Sequence, residues 1–149
     1  MIADQDLALK LADAADEISL ARFRALNLRG DTKADSSHVT DADRSVEQRL
    51  RAIIARHSPG DAIIGEEFAD EGDGSRTWII DPIDGTANYL RGIPIWASLI
   101  ALRVDGVITS SVVSAPAMGR RWCAQRGNGA CTKDIDGRIR IIETSKVND

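Results

Sequence analysis

Two aspartates, Asp81 and Asp84, flank Pro82-Ile83 and are followed at once by Gly85-Thr86. Hard divalent cations such as Mg²⁺ take oxygen ligands, usually one or two carboxylates per ion, with waters and substrate phosphate completing the shell. Pro82 fixes φ and has no N–H, so the short Asp-Pro-Ile-Asp segment can turn rigidly and aim both carboxylates and the Ile83 carbonyl at one place. Gly85 permits close approach of the backbone to a ligand. If Gly85 and Thr86 open a helical turn, their N–H groups would face a phosphate. The spacing therefore describes a cation site beside an anion site, as phosphate-ester chemistry needs.

The elements that must position these groups can be read outward from them. Thr77 to Ile80 is a short apolar run ending at Asp81, and Ala62-Ile63-Ile64 is another ending at Gly65-Glu66-Glu67. Both suit buried strands whose polar ends lie side by side. Glu66 then supplies a third carboxylate, and strand alternation turns Glu67 the other way. Thr40 or Asp41 can cap a helix whose stripe is Val46, Leu50 and Ile53 or Ile54, running to His57 before Ser58-Pro59-Gly60, which places Asp43 in its first turn. Leu7, Leu11, Ala14, Ile18 and Ala21 recur at helical spacing and make Asp4 to about Arg24 a scaffold helix. Residues 27–39 read as a loop carrying Lys33.

Beyond the motif, Trp96–Val104 and Val107–Val113 flank Asp105-Gly106, a strong hairpin signal. Arg121–Ala124 and Arg138–Ile142 are further strand candidates, with Asp136-Gly137 as a turn. Two helices followed by several strands give an α+β class, with helices packed on one face of a mostly antiparallel sheet.

At 149 residues one domain, 1–149, is expected. Against 19 basic residues stand 23 acidic ones, a net charge of -4 that gives no general reason to approach nucleic acid or an anionic membrane. A small phosphorylated metabolite is the expected partner, with no nucleic acid and no membrane. A second copy of the chain, as a homodimer, is a further candidate. Met1 is followed by Asp4 and Asp6 rather than a basic and apolar leader, so a cytoplasmic location is expected. Cys123 and Cys131 lack metal-site spacing and read as small apolar fillers. Taken singly each acidic motif is weak, since Asp-Pro marks turns and Glu-Glu marks solvated edges, and a structural turn in an interaction module is the bland alternative.

Taken together, Gly65-Glu66-Glu67, Asp81 to Thr86 and Val39-Thr40-Asp41-Ala42-Asp43 resemble the inositol monophosphatase family of metal-dependent, lithium-sensitive phosphatases. Within it, Arg22-Phe23, Asp31-Thr32-Lys33, Val39 to Arg44, Arg91 to Leu99 and Ser114-Ala115-Pro116 look most like histidinol-phosphate phosphatases of actinobacteria. The resemblance implies a layered αβαβα fold and Mg²⁺ as cofactor. It implies that Glu66, Asp81 and the Ile83 carbonyl hold a first metal, and that Asp81 and Asp84 share a second. A third, weaker ion would also use Glu66. By the same resemblance Asp43 and Thr86 orient and help deprotonate the attacking water, with Glu66 in the catalytic set. Gly85 and Thr86 N–H groups bind the phosphate, and Lys33 is similar to a lysine near it. The implied activity is hydrolysis of a phosphate monoester by metal-activated water, on histidinol phosphate in histidine biosynthesis or, alternatively, inositol 1-phosphate.

The family's second half carries a Trp-Asp motif whose Asp completes the second metal position, and this chain has none. Its last residues, Ser145 to Asp149, resemble the family's connector into that half. The expectation is therefore an N-terminal fragment with the C-terminal half absent, a weak second metal site, and a sheet face left exposed or covered by another chain. A metal- and phosphate-binding fragment without turnover is the corresponding alternative.

Overall fold

The computed structural model describes residues 2–25, 30–32 and 38–146. It opens with helix α1 (Asp4–Arg22), whose first turn holds Asp4 and Asp6 and whose last holds Arg22, charges that complement the helix dipole. Leu7 and Leu11 are buried as the spacing predicts, but the rest of the buried face is Ala8, Ala12, Ala15 and Ser19. Ala14 and Ile18 are half-buried and Ala21 is exposed. The physical reason is that α1 packs against both a second helix and the sheet, and Ala8, Ala12 and Ala15 let the backbones approach closely. The short strands β1 (Gly30–Thr32) and β2 (His38–Thr40) pair antiparallel within the stretch expected to be loop.

Helix α2 (Asp41–His57) begins where the sequence indicates. The Thr40 hydroxyl accepts from the Ala42 and Asp43 amides, and Asp43 Oδ2 accepts from the Thr40 amide at 2.9 Å, closing a capping box. Val46, Leu50, Ile53 and Ile54 are buried as the spacing predicts. A second buried stripe was not foreseen: Asp43, Glu47 and Arg51, four residues apart, are also buried.

One mixed sheet follows, in the order β3 (Ala62–Gly65), β4 (Arg76–Asp84), β5 (Ala97–Val104), β6 (Val107–Ala115), β7 (Arg120–Gln125), β8 (Gly129–Lys133) and β9 (Ile139–Ile142). Only β3 and β4 are parallel. The chain between them doubles back so that Ile63 and Glu71 exchange backbone bonds of 2.7 and 2.8 Å along the outer side of β3, which covers that edge. Asp105 and Gly106 both take positive φ, 48° and 81°, and make the tight β5–β6 turn the sequence announces. Strand β8 was missed because Gly-Ala-Cys-Thr-Lys carries little strand signal. It pairs with β7 so that Cys123 faces Cys131. The two cysteines form a disulfide, correcting the reading of them as separate apolar fillers; position across the strands, not sequence spacing, brings them together.

Trp78, Ile80, Ile100, Leu102 and Val112 on one sheet face pack against Leu7, Leu11, Leu50 and Ile54 of the two helices. On the other face Ile79, Leu99, Ala101 and Val113 are only half-buried, and Ile142, in line with Ala101 across the sheet, is exposed. A second cluster of Ala42, Ile83, Tyr89 and Trp96, with Phe23 against it, lies beneath the Asp81–Thr86 segment. Tyr89 and Trp96 meet edge to face at 4.9 Å. The acidic segment thus rests on an apolar support, anchored by the fully buried Ile83.

Candidate metal and phosphate site

The parallel pairing of β3 and β4 creates the site. Two strands running the same way end on the same side, and with Gly65 opposite Ile80, the next residues in line are Glu66 and Asp81. The two carboxylates hydrogen-bond each other. Glu66 and Glu67 both lie beyond the end of β3, so strand alternation is not what distinguishes them. Glu66 meets Asp81 through its side chain, whereas Glu67 donates its amide to Glu47 Oε2 at 2.7 Å.

Asp81 and Asp84 are three apart, a spacing that sends side chains to opposite faces of a regular strand. Here β4 runs through Pro82 instead of ending at Asp81, and its register shifts. Asp81 faces Leu99 and Asp84 faces Ala97, which inserts one extra residue on β4. The bulge restores both aspartates to one region, close enough for the Asp84 charge to act on Asp81. Pro82 is tolerated because β3 has already ended opposite Ile80, so no ladder partner awaits an N–H there. Its carbonyl accepts from the buried Ser98 hydroxyl at 2.7 Å.

Gly85 follows with φ of 88° and caps the short helix α3 (Thr86–Leu90). A side chain at Gly85 would press on the Ile95 carbonyl at 3.1 Å as well as strain the backbone. Because Thr86 is the first helical residue, its N–H precedes the first intrahelical bond, as the phosphate-donor expectation requires. The Thr86 hydroxyl lies 3.2 Å from Asp43 Oδ1 and 2.9 Å from the Ile83 carbonyl, two acceptors for one proton. Asp43 thus uses Oδ2 to cap α2 and presents Oδ1 to Thr86. Lys33 lies outside the described residues.

Electrostatics set Asp81 apart. Burial first, then its hydrogen bond with Glu66 and the charges of Glu66, Asp84 and Asp43, push its carboxyl up to about 8. Oδ1 of Asp81 is buried without a hydrogen-bond partner. A buried oxygen with an open lone pair among like charges is what a divalent cation would satisfy, and on this ground the residues present fit Mg²⁺. Among the described residues no group of three or more His, Cys, Asp or Glu side chains is arranged to hold an ion by itself. Mg²⁺ does not require one, since it retains waters and shares its shell with substrate phosphate. Burial also raises Asp43, partly offset by hydrogen bonds from Thr40 and Thr86.

Sequence reasoning missed the groups that hold this arrangement. Neither Glu47 nor Arg51 is singled out by sequence, although their four-residue spacing from Asp43 is visible in it. Tyr89 ties α3 to α1 by donating to the Ser19 carbonyl at 2.7 Å.

Comparison with known proteins agrees with this geometry. Residues 4–149 match the inositol monophosphatase family profile. The chain is 56% identical over 145 residues to a histidinol-phosphatase of Mycobacterium tuberculosis, covering 97% of this chain and 56% of that protein. It is 50% identical over 153 residues to a histidinol-phosphatase of Streptomyces coelicolor, covering 98% of this chain and 58% of that one. The crystal structure of the extragenic suppressor protein suhB from Bartonella henselae superposes with a TM-score of 0.82 at 30% identity, over 87% of this chain and 51% of that chain. The chain spans about half the length of the curated relatives it matches. No helix among the described residues is long and apolar enough to cross a membrane. With the profile spanning nearly all of the sequence and the fold matching over most of it, the chain belongs to the inositol monophosphatase family.

Proposed function

We propose that this chain supplies the metal- and phosphate-binding part of a Mg²⁺-dependent phosphate monoester hydrolase acting on histidinol phosphate, a cytoplasmic step of histidine biosynthesis. The observation that carries the chemistry is Asp81, a half-buried carboxyl raised by desolvation and by three neighbouring carboxylates, with one buried oxygen that has no partner. The substrate assignment is supported by the identity to histidinol-phosphatases over nearly the whole chain. Glu66, Asp81, Asp84 and the Ile83 carbonyl would hold the ions, which supply positive charge for the phosphate oxygens and acidify water. Thr86, by donating its proton to Asp43 Oδ1, keeps lone pairs free to accept from the attacking water. Asp43, raised by burial, is a stronger base than a solvated aspartate and draws that proton through Thr86. The Gly85–Thr86 amides orient the phosphate at the start of α3.

Phosphate release from histidinol phosphate and from inositol 1-phosphate, with and without Mg²⁺, tests this reading. Turnover of histidinol phosphate that needs Mg²⁺ and is lost in Asp81→Asn is expected. Faster turnover of inositol 1-phosphate would reverse the substrate, and Mg²⁺ binding without turnover on either ester would leave a binding fragment.

A further inference from the structure

Glu47 is a carboxylate with no solvent exposure. Its Oε1 accepts from Arg51 Nε and Nη2 at 2.9 and 2.7 Å and from the Phe68 amide at 3.3 Å. Its Oε2 accepts from the Glu67 amide at 2.7 Å. Arg51 adds bonds to the Phe68 carbonyl at 3.3 Å and to Glu71 Oε1 at 2.8 Å, and its guanidinium lies 5.8 Å from the centre of the Phe68 ring. The pair therefore grips the backbone immediately after Glu66. Gly65, just before it, lies so close that a Cβ there would stand 1.9 Å from Glu47 Oε1, so the chain on both sides of Glu66 rests on α2. Asp43 sits one turn earlier on the same helix, about 6 Å along its axis.

We infer that Glu47 and Arg51 are positioning residues that fix Glu66 against Asp81 and hold it in register with Asp43, and that they thereby set the divalent-ion affinity of the site. The inference rests on the proposed function for its metal, but the grip on residues 67 and 68 stands on geometry alone. Groups that orient metal ligands change metal affinity by about 10–100-fold when altered. In Glu47→Gln, an amide N–H₂ must face either the Glu67 amide or the Arg51 guanidinium, donor against donor. Glu47→Asp keeps both acceptors and the charge but shortens the reach, while Arg51→Lys keeps the charge and loses the fork.

The test measures Mg²⁺ binding by calorimetry on this chain and its variants, at a temperature where circular dichroism shows each to be folded. Amide exchange is followed by NMR in the metal-free state. Glu47→Gln should bind Mg²⁺ at least about tenfold more weakly, with Glu47→Asp recovering part of the loss, and the Glu67 and Phe68 amides should exchange faster while those of β4 and β5 keep their protection. Unchanged exchange at Glu67 and Phe68 in Glu47→Gln, or in Arg51→Lys should the first variant not fold, would overturn the positioning role. Faster exchange with wild-type Mg²⁺ affinity would overturn the link to the metal. If the unaltered chain binds no Mg²⁺ while the exchange effect is present, the proposed function fails and the grip on the loop survives.

Discussion

Glu47 on α2 and Asp81 on β4 are both carboxylates drawn out of water, Glu47 fully and Asp81 in part, yet their charges are balanced in opposite ways. Glu47 meets a guanidinium and two backbone amides, a complete set of partners supplied by the chain itself. The charges that act on Asp81 are the carboxylates Glu66, Asp84 and Asp43, and one of its oxygens has no partner. Elsewhere half-buried acids are neutralised in the first manner: Arg76 spans Asp4 and Asp61, and Arg121 binds Asp16 while also reaching the exposed Asp13. Arginines meet the structural acids, while the carboxylates crowded around Asp81 suit the cation the proposed function requires.

The contrast is broken most directly at the balanced acid. Glu47→Ala leaves Arg51 buried beside two unsatisfied amides, and should cost about 3–5 kcal/mol; urea unfolding would read it, and a loss below about 1 kcal/mol would mean that the pair behaves as a surface ion pair. Asp81→Asn has the opposite character. At neutral pH, and without metal, it replaces a largely protonated acid, so stability should scarcely change, while Mg²⁺-dependent phosphate release should fall by about 100-fold or more, at least about 2.7 kcal/mol of barrier. Retained turnover in that variant would remove Asp81 from the chemistry.

A pH series sharpens the same comparison. Asp81 ordinarily titrates near 3.8 and is pushed up to about 8, so the native metal-free chain holds a proton that the unfolded chain releases. Its contribution to stability is complete below 3.8 and is lost as pH rises through about 8, so metal-free stability should fall across that window and Asp81→Asn should flatten the fall. Because an ion competes with that proton, Mg²⁺ affinity should rise with pH over the same range, and calorimetry in buffers of different ionisation heat would count the proton released. An Mg²⁺ affinity flat across the window would show that Asp81 is not the group displaced. The smallest effect belongs to the cap. Thr40→Val removes a hydroxyl that bonds both the α2 amides and Asp43, and should cost about 1 kcal/mol in thermal unfolding. It should also raise Asp43 further, because Thr40 is among the groups holding that carboxyl down.

Short-range chemistry is what could be read directly from the order of the residues. The α2 cap at Thr40 and its Val46–Leu50–Ile54 stripe, the Asp105-Gly106 turn, and the oxygen-rich Asp81–Thr86 segment depend on neighbours within a few residues, where spacing and φ preferences decide. Only the tertiary structure could decide that β3 and β4 run parallel and so set Glu66 beside Asp81, or that a bulge brings Asp84 back to the same region. The buried face of α1 and the pairing of Cys123 with Cys131 were set in the same way, by partners far off in the chain or across a strand pair. Glu47 and Arg51 show the reason most plainly. A charge on a helix reads as solvated until a loop 20 residues away lays its amides over it, and burial of a charge depends on partners that local sequence does not name.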